Sequence, residues 1–170
     1  MSTSASLPKT TVRLATTADF DRLHDLAVQL HHEVEHSGAD EGLRGPSREI
    51  FMQSLRSDAC RTLVAHPIGE PDGLVACGAA WIHQITPALW LPSGKMGYLQ
   101  GFYTVPSWRG RGISRGIVEQ LLAWLTEAGC TQAHLHAVTT AAPLYQRLGF
   151  VPARNSNLWL KLPQDETAAS

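Results

Sequence analysis

The sequence predicts a single α/β domain with a mixed, mainly antiparallel sheet of seven strands and about four helices. Its 170 residues are 44% hydrophobic and 17% charged, which suits one globular core. Apolar periods alternate along the chain in the order β-α-α-β-β-β-α-β-α-β-β. Residues 1–8 and 164–170 are polar or small and lack periodicity, so we expect loose tails around a domain spanning 9–163.

The first half of the chain predicts one strand and two helices. Thr10 to Ala15 reads as a strand, and Thr16 to Asp19 has the spacing of a hydroxyl N-cap with an acid three residues later. A helix follows to about His36, with its apolar residues on one face: Phe20, Leu23, Leu26, Ala27, Leu30 and Val34. After a glycine-containing loop, Ser47 to Leu55 predicts a second, shorter helix.

The second half predicts six strands and two helices. Loops that contain Pro and Gly separate the first three of these strands and favour antiparallel hairpins. In order, the predicted elements are strands Arg61–Ala65, Gly73–Ile85 and Met96–Val105, helix Gly112–Ala128, strand Ala133–Ala137, helix Ala141–Leu148, and a last hairpin of Phe150–Val151 with Leu158–Leu162.

Composition excludes several classes of protein. A net charge of -1 and a pI near 6.7 give no positive field for nucleic acid. No apolar stretch approaches the roughly 18 residues of a membrane span, and the N-terminus has no signal-peptide pattern. Cys60, Cys77 and Cys130 form no C-x-x-C pair, which suits reduced thiols. We therefore expect a cytoplasmic protein, monomeric or homodimeric, without nucleic-acid or membrane partners.

Residues 106–115 form a Gly- and Arg-rich segment between a predicted strand and a predicted helix. At a helix start, free backbone N–H groups and the helix dipole favour an anion. Gly110 and Gly112 let the backbone approach phosphate oxygens, while Arg109, Arg111 and Arg115 add charged donors. A pyrophosphate fits this pattern; plain helix capping is the alternative. No Gly-Lys-Ser/Thr follows, so the segment is not a Walker loop.

Two segments together resemble the GNAT superfamily of N-acetyltransferases. The family signature Q/R-x-x-G-x-G/A corresponds to Arg109-Gly110-Arg111-Gly112-Ile113-Ser114, with Ser in the final position. Ala141-Ala142-Pro143-Leu144-Tyr145-Gln146-Arg147-Leu148-Gly149-Phe150 looks like the family's A-x-x-L-Y-x-x-L-G-F stretch. The family often has Asn where this chain has Val138. The resemblance covers about residues 10–162.

This resemblance implies a GNAT-like fold and acetyl-CoA as cosubstrate. It also implies that the strand Met96–Val105 splays from the next strand, so that backbone groups of Phe102, Tyr103 and Val105 could bind pantetheine. The pyrophosphate would then be held by a single run of residues, namely Arg109, Gly110, Arg111, Gly112, Ile113, Ser114 and Arg115.

Tyr145 is the predicted general acid. A phenol with an ordinary pKa near 10 is protonated at neutral pH and can donate to a departing thiolate. A half-buried packing role is the alternative.

The base that takes a proton from the acceptor amine is less specified by the sequence. The strand Met96–Val105 has no Asp, Glu or His, so we look to His31, Glu33 and Glu35 on the first helix and select Glu33. A solvated helix edge is the alternative for all three. The acceptor is an unidentified primary amine, and aromatic side chains in or near the strands could line its pocket or belong to the core: Trp81, Trp90, Tyr98 and Tyr103.

Two other functions compete with amine acetylation. His32-Glu33-Val34-Glu35-His36 matches the H-E-x-x-H pattern of zinc hydrolases. Helical projection, however, places both histidines opposite the apolar face, where a catalytic zinc would lack shelter and a third ligand. We therefore expect no metal. A non-catalytic acyl-CoA-binding or sensing module is the second rival, because the strand beside the cofactor lacks a carboxylate.

Overall fold

The computed structural model describes residues 9–35 and 46–153. The predicted tails, 1–8 and 164–170, lie outside these ranges. The described elements, in chain order, are β1 (Thr10–Leu14), α1 (Phe20–Glu35), α2 (Pro46–Ser54), β2 (Cys60–Pro67), β3 (Ala76–Gln84), β4 (Lys95–Thr104), α3 (Ile113–Glu127), β5 (Gln132–Leu135) and α4 (Ala142–Arg147). The four helices that the periodicity predicts are all present, with ends within two residues of the prediction.

The described strands form one mixed sheet in the order β1-β2-β3-β4-β5. β1, β2, β3 and β4 pair antiparallel in sequence, whereas β4 and β5 are parallel. The parallel pair arises because α3 carries the chain back across the sheet before β5 begins. The expected mainly antiparallel, seven-stranded sheet is thus corrected to a mixed sheet of five strands in the described residues.

The missing strands belong to the predicted last hairpin. Phe150 and Val151 are described and lie outside any strand, following the turn that ends α4 at Gly149. Leu158–Leu162 falls outside the described residues. Two apolar residues are too few to show the two-residue period of a strand. In the structure the ring of Phe150 packs on Tyr145.

Apolar side chains cover both faces of the sheet. On one face α3 contributes Ile117, Leu121 and Leu125 to the larger core. The sheet comes close to this helix because Gly97 has no side chain; a Cβ there would collide with Leu125. On the other face α1 packs Leu26 and its neighbours into a second core. β4 contacts both of these helices.

α1 begins where the Thr16 to Asp19 spacing predicts. The Asp19 carboxylate accepts hydrogen bonds from the Thr16 backbone N–H at 2.8 Å and the Thr16 hydroxyl at 3.1 Å. Arg13, which the sequence did not single out, pairs with both Asp19 oxygens at 2.7 and 2.8 Å. This guanidinium is the main reason why the pKa of Asp19 falls to about 2. The apolar face of α1 is buried only over its first turns, since Val34 is 43% exposed.

None of the helices in the described parts of the chain is long and apolar enough to cross a membrane.

Candidate active site

The Gly- and Arg-rich segment forms a tight turn between β4 and α3. Residues 106–108 make one 3₁₀ turn, after which Gly110 and Gly112 have φ angles of 74° and 76°. Gly112 is the N-cap of α3, as the sequence predicts. A Cβ on either glycine would meet nothing within 4 Å, so glycine is needed here for the left-handed backbone and not for internal space. The turn therefore presents backbone amides at a helix N-terminus to an open surface.

β4 continues past the end of its pairing with β5. The last pair is Leu99 with Leu135, while β4 runs on to Thr104. Gly101, just beyond that pair, has a φ of 67°, and the pairing with β3 shifts register opposite it. Phe102 and Tyr103 lie on this extension, so one edge of β4 lacks a described strand partner between the last pair and the Gly- and Arg-rich turn.

Val105 does not fit its predicted role. Its backbone N–H donates to the Val75 carbonyl at 2.9 Å, and its carbonyl accepts from Trp108 N–H at 2.8 Å. Both groups are used inside the chain because Val105 starts the 3₁₀ turn. The prediction that Val105 offers a free amide to pantetheine is therefore corrected; Phe102 and Tyr103 remain candidates.

Arg109 is fixed between β4 and α1. Its Nε donates to the Thr104 carbonyl at 2.8 Å, and its Nη2 contacts both Glu33 oxygens at 2.8 Å. The guanidinium also lies 5.5 Å from the Tyr103 ring centre, and the Tyr103 hydroxyl donates to Glu33 at 3.0 Å. Burial and the neighbouring Glu33 raise the pKa of Tyr103, so this phenol stays a donor. Glu33 thus holds Arg109 beside the turn.

The other two arginines differ in their freedom. Arg111 stacks on Trp108 at 4.4 Å and donates to the Ser107 carbonyl at 2.9 Å. Its Nη1 is buried without a hydrogen-bond partner in the described structure, which marks a donor that an anion could use. Arg115 instead forms an exposed ion pair with Glu119 at 2.8 Å, one turn along α3.

Ser114, the departure from the family signature, leaves the turn intact. Its hydroxyl lies 2.7 Å from the Thr104 hydroxyl and so ties the first turn of α3 to the end of β4. Ile113, beside it, is buried in the larger core. Neither side chain points to a role beyond fixing where the N-terminus of α3 sits.

Tyr145 lies on α4 and is buried against the extension of β4. Its ring contacts Phe102 and Phe150 edge-on, at 6.0 and 5.8 Å between centres. Burial raises the pKa of its hydroxyl to about 12, so the phenol is protonated at any physiological pH. The structure therefore brings Tyr145 next to Phe102, on the segment of β4 that β5 does not cover.

A cavity of about 440 Å³ lies between the sheet and the helices α1 and α2. Its floor includes Trp81 of β3 and both Gln100 and Gly101 of β4. Among the aromatic residues expected at the acceptor pocket, Trp81 lines this cavity, whereas Trp90 is 58% exposed in the β3–β4 loop. The sequence predicted the helix that carries Phe51 and missed Phe51 itself as a lining residue.

The candidate bases on α1 separate in the structure. His31 lines the cavity. Glu33, one half-turn later, points to Arg109 and Tyr103 and is not among the lining residues. The side chain of Glu35 lies outside the described residues.

The H-E-x-x-H segment gains no support as a metal site. His32 is exposed, Glu33 is held by Arg109, and His36 lies outside the described residues. Within residues 9–35 and 46–153, no three His, Cys, Asp or Glu side chains gather in a way that could hold a metal ion.

A histidine and tyrosine cluster on the sheet was missed as a unit. Tyr98 of β4 contacts His83, His134 and His136, with its ring centre 4.8 Å from that of His134. Burial, together with the other two imidazoles, lowers the pKa of His134, which favours the neutral form of its ring. The signal was the period-two spacing of His134, on β5, and His136, directly after the end of that strand.

Comparison with known proteins agrees with this geometry. The family model described as Acetyltransferase (GNAT) family matches residues 21–150. A curated relative, the aminoglycoside N(6')-acetyltransferase type 1 of Stenotrophomonas maltophilia, is 38% identical over 40 residues. That match spans only 24% of this chain and 26% of the relative.

Solved structures share the fold across nearly the whole chain. A GCN5-related N-acetyltransferase from Ralstonia eutropha has a TM-score of 0.78 at 22% identity, covering 89% of this chain and 99% of that one. A Clostridium acetobutylicum protein titled a predicted acetyltransferase, solved with acetyl-CoA, has a TM-score of 0.73 at 23% identity, with coverages of 91% and 96%. The aminoglycoside N-acetyltransferase AAC(6')-Iy, in complex with CoA, has a TM-score of 0.70 at 16% identity, with coverages of 92% and 97%.

The chain belongs to the GNAT family of acetyltransferases, because the family model matches well over half of it. The family prediction made from the two motifs is confirmed.

Proposed function

We propose that this protein transfers an acetyl group from acetyl-CoA directly to a primary amine in a ternary complex. One observation carries the proposal: the extension of β4 past its last β5 pair links the Gly- and Arg-rich turn to both Tyr145 and the cavity. A long cofactor laid along this edge has its phosphates at one end and its thioester at the other. The thioester then meets a proton donor and a cavity that could hold an acceptor.

The residues of the turn suit a pyrophosphate. Gly110 and Gly112 provide left-handed backbone with open space above it, and α3 starts immediately afterwards. Nη1 of Arg111 has no hydrogen-bond partner among the described residues and could donate to a phosphate oxygen. Arg109 and the backbone amides of Ile113 and Ser114 would also bind the pyrophosphate, with Arg115 at the outer edge of the site. Backbone groups of Phe102 and Tyr103 would receive the pantetheine.

The bound cosubstrate supplies a thioester, and this chain's residues handle the protons. The amine nitrogen bonds to the thioester carbon and the carbon–sulfur bond breaks, so the sulfur leaves with the electron pair. Tyr145 donates its phenolic proton to that sulfur. Because burial raises the pKa of Tyr145 to about 12, the phenol is protonated at neutral pH and available as a donor.

For the base, the geometry supports His31 over the Glu33 that the sequence favoured. Both Glu33 oxygens accept hydrogen bonds from Arg109, and one also accepts from Tyr103, so a water molecule there would have to displace one of these donors. His31 instead borders the cavity into which the thioester end opens. In our proposal His31 takes the amine proton, directly or through water, and Glu33 positions Arg109.

Thiol release tests the proposal against the rival acyl-CoA-binding module. Protein with acetyl-CoA and a panel of primary amines should release CoA only when an accepted amine is present, and mass spectrometry should find the acetylated amine. Tight acetyl-CoA binding with no amine-dependent release from any member of a broad panel contradicts the transferase proposal and favours the binding module. The identity of the acceptor, the cytoplasmic location and the monomeric or dimeric state remain predictions.

A further inference from the structure

The cavity between the sheet, α1 and α2 opens onto the segment of β4 where the cofactor's thioester should end. Gln100 and Gly101 belong both to the cavity floor and to the extension beyond the last β5 pair. The walls come from α1, α2, β2 and β3. A volume of about 440 Å³ falls in the range of small-molecule sites. The cavity is therefore our candidate space for the acceptor next to the reacting bond.

The chemistry of the walls is mainly apolar. Aromatic and aliphatic side chains form the largest group in the described lining: Phe20, Leu23, Ala27, Leu30, Ile50, Phe51, Ala79 and Trp81. The lining also includes two imidazoles, His24 and His31, and one permanent cation, Arg48, whose guanidinium lies 4.6 Å from the Phe20 ring centre. No Asp or Glu belongs to the lining formed by the described residues. The described walls thus offer apolar contact and one fixed positive charge, and no carboxylate among them offers a counter-charge to a cation.

From these walls we infer the acceptor class: a primary amine on an apolar or aromatic body that carries no second positive charge. This inference rests on the proposed function, because the reacting amine must reach the thioester at Gln100 and Gly101. That one amine loses its charge on the way to attack, with the proton taken at the cavity edge. A second ammonium group would stay charged, lose its hydration among apolar walls and face Arg48.

This class differs from the substrates that two relatives' names suggest. Aminoglycosides carry several amines, and the chain's likeness to enzymes that acetylate them is either short or limited to the fold. A polycation is normally matched by carboxylates, which the described walls lack. The fold alone therefore does not extend the aminoglycoside name to this chain.

A matched pair of amines tests the inference. Hexylamine and 1,6-diaminohexane have the same length and differ by one ammonium group. With saturating acetyl-CoA, we expect kcat/KM for hexylamine to exceed that for 1,6-diaminohexane at least tenfold, with 2-phenylethylamine at or above hexylamine and the aminoglycoside kanamycin below both. Equal or higher kcat/KM for the diamine or for kanamycin overturns the acceptor class while leaving the transferase proposal intact.

Two variants tie the preference to this cavity. Ala27→Phe on α1 and Ala79→Leu on β3 each fill part of the space without touching the cofactor turn. Each should lower kcat/KM for 2-phenylethylamine at least tenfold and leave the acetyl-CoA Kd within twofold. Ala123→Phe is the matched control, because Ala123 is exposed on α3 and away from the cavity. Normal phenylethylamine kinetics in both folded cavity variants would show that the acceptor binds elsewhere.

Charge reversal at Arg48 gives an independent readout. Arg48→Glu places a carboxylate at the cavity wall and should reduce the hexylamine to diaminohexane ratio at least fivefold, whereas Arg48→Gln should change it less. An unchanged ratio in Arg48→Glu contradicts the charge argument.

If no amine is acetylated, the proposed function fails and binding still decides the acceptor class. Binding of each amine can then be measured by its quenching of Trp fluorescence in the presence of CoA. Hexylamine should bind more tightly than the diamine, and the quenching should be lost in Ala27→Phe. Equal binding of the two overturns the inference.

Discussion

The two ends of the β4 extension are built in opposite ways. At the Gly- and Arg-rich turn, the proposed ligand groups come from consecutive residues, 109–115, and mostly from backbone conformation set by Gly110 and Gly112. At the cavity, residues converge from five elements spread along the chain from α1 to β4. The first end is polar, charged and locally encoded. The second is apolar and assembled only by folding.

This difference explains why the sequence motifs predicted the cosubstrate and did not identify the acceptor. A backbone cradle needs glycines at fixed spacing and a helix start, which leave a motif. A cavity needs only complementary surfaces, which many combinations of side chains can supply. The same family can therefore keep one cosubstrate while its members differ in acceptor.

The largest expected effect is on the cofactor turn. Gly112→Val places a β-branched residue at a φ of 76°, which strains the backbone and displaces the amides at the start of α3. We expect the acetyl-CoA Kd to rise well beyond tenfold, on the order of a hundredfold, by isothermal titration calorimetry. Gly69→Val is the control, because Gly69 has a φ of 90° and equally open space far along the chain from the turn. Unchanged Kd in folded Gly112→Val would remove the turn from the cofactor site.

Stability should depend most on the anchor of α1, the helix that forms one cavity wall. The pKa of Asp19 is about 2 when folded against an ordinary 3.8, so folding favours the carboxylate. That stabilisation is full above about pH 4 and is lost as the pH falls through about 2. Asp19→Asn should lower the free energy of unfolding at pH 7 by about 2 kcal/mol, roughly thirtyfold in the equilibrium.

Urea unfolding at several pH values measures this contribution. The difference between wild type and Asp19→Asn should shrink between pH 4 and pH 2. Asp25→Asn, which breaks only an exposed pair with Arg22, should cost under about 0.5 kcal/mol at any pH. A pH-independent difference for Asp19→Asn would show that its charge is not the source of the stabilisation.

Tyr145→Phe should lower kcat at least tenfold while the acetyl-CoA Kd stays within about threefold. The variant keeps the ring packed on Phe102 and loses only the hydroxyl, whose proposed work is confined to the departing sulfur. Steady-state kinetics, calorimetry and thermal unfolding on one preparation measure all three quantities. A near-normal kcat with reduced stability would make Tyr145 a packing residue, and a raised Kd would make it a cofactor contact.

The smallest expected effects are those of substitutions at His31 and Glu33 on α1, and they distinguish the roles of these two residues. His31→Gln should lower kcat/KM for the amine about fivefold, since water can carry part of the proton transfer, and should leave the acetyl-CoA Kd unchanged. Glu33→Gln should do the reverse, raising the Kd about threefold through a less ordered Arg109. If Glu33→Gln instead lowers kcat with normal Kd, Glu33 is the base, as the sequence first indicated.

Local patterns predicted much of the fold correctly. The Thr16 to Asp19 spacing located the start of α1, and Gly112 located the start of α3. The strands of the sheet were harder to predict. A segment as short as Phe150–Val151 shows too little periodicity to distinguish a strand from a turn, and in the structure the ring of Phe150 packs on Tyr145. Val105 was misassigned because its amide partner, Val75, is thirty residues away.

The sequence alone determined the family and pointed to the Gly- and Arg-rich turn and Tyr145 as proposed site residues, because each motif consists of residues that are close together in the chain. Tertiary structure decided what depends on distant partners. It paired Glu33 with Arg109, brought His31 to the cavity and placed Gln100 at its floor. It also determined the mainly apolar character of the cavity, which follows from how α1 and α2 cover the sheet. Residues close together in the sequence set the backbone conformation of a turn, whereas the shape and charge of a cavity exist only after the chain has packed.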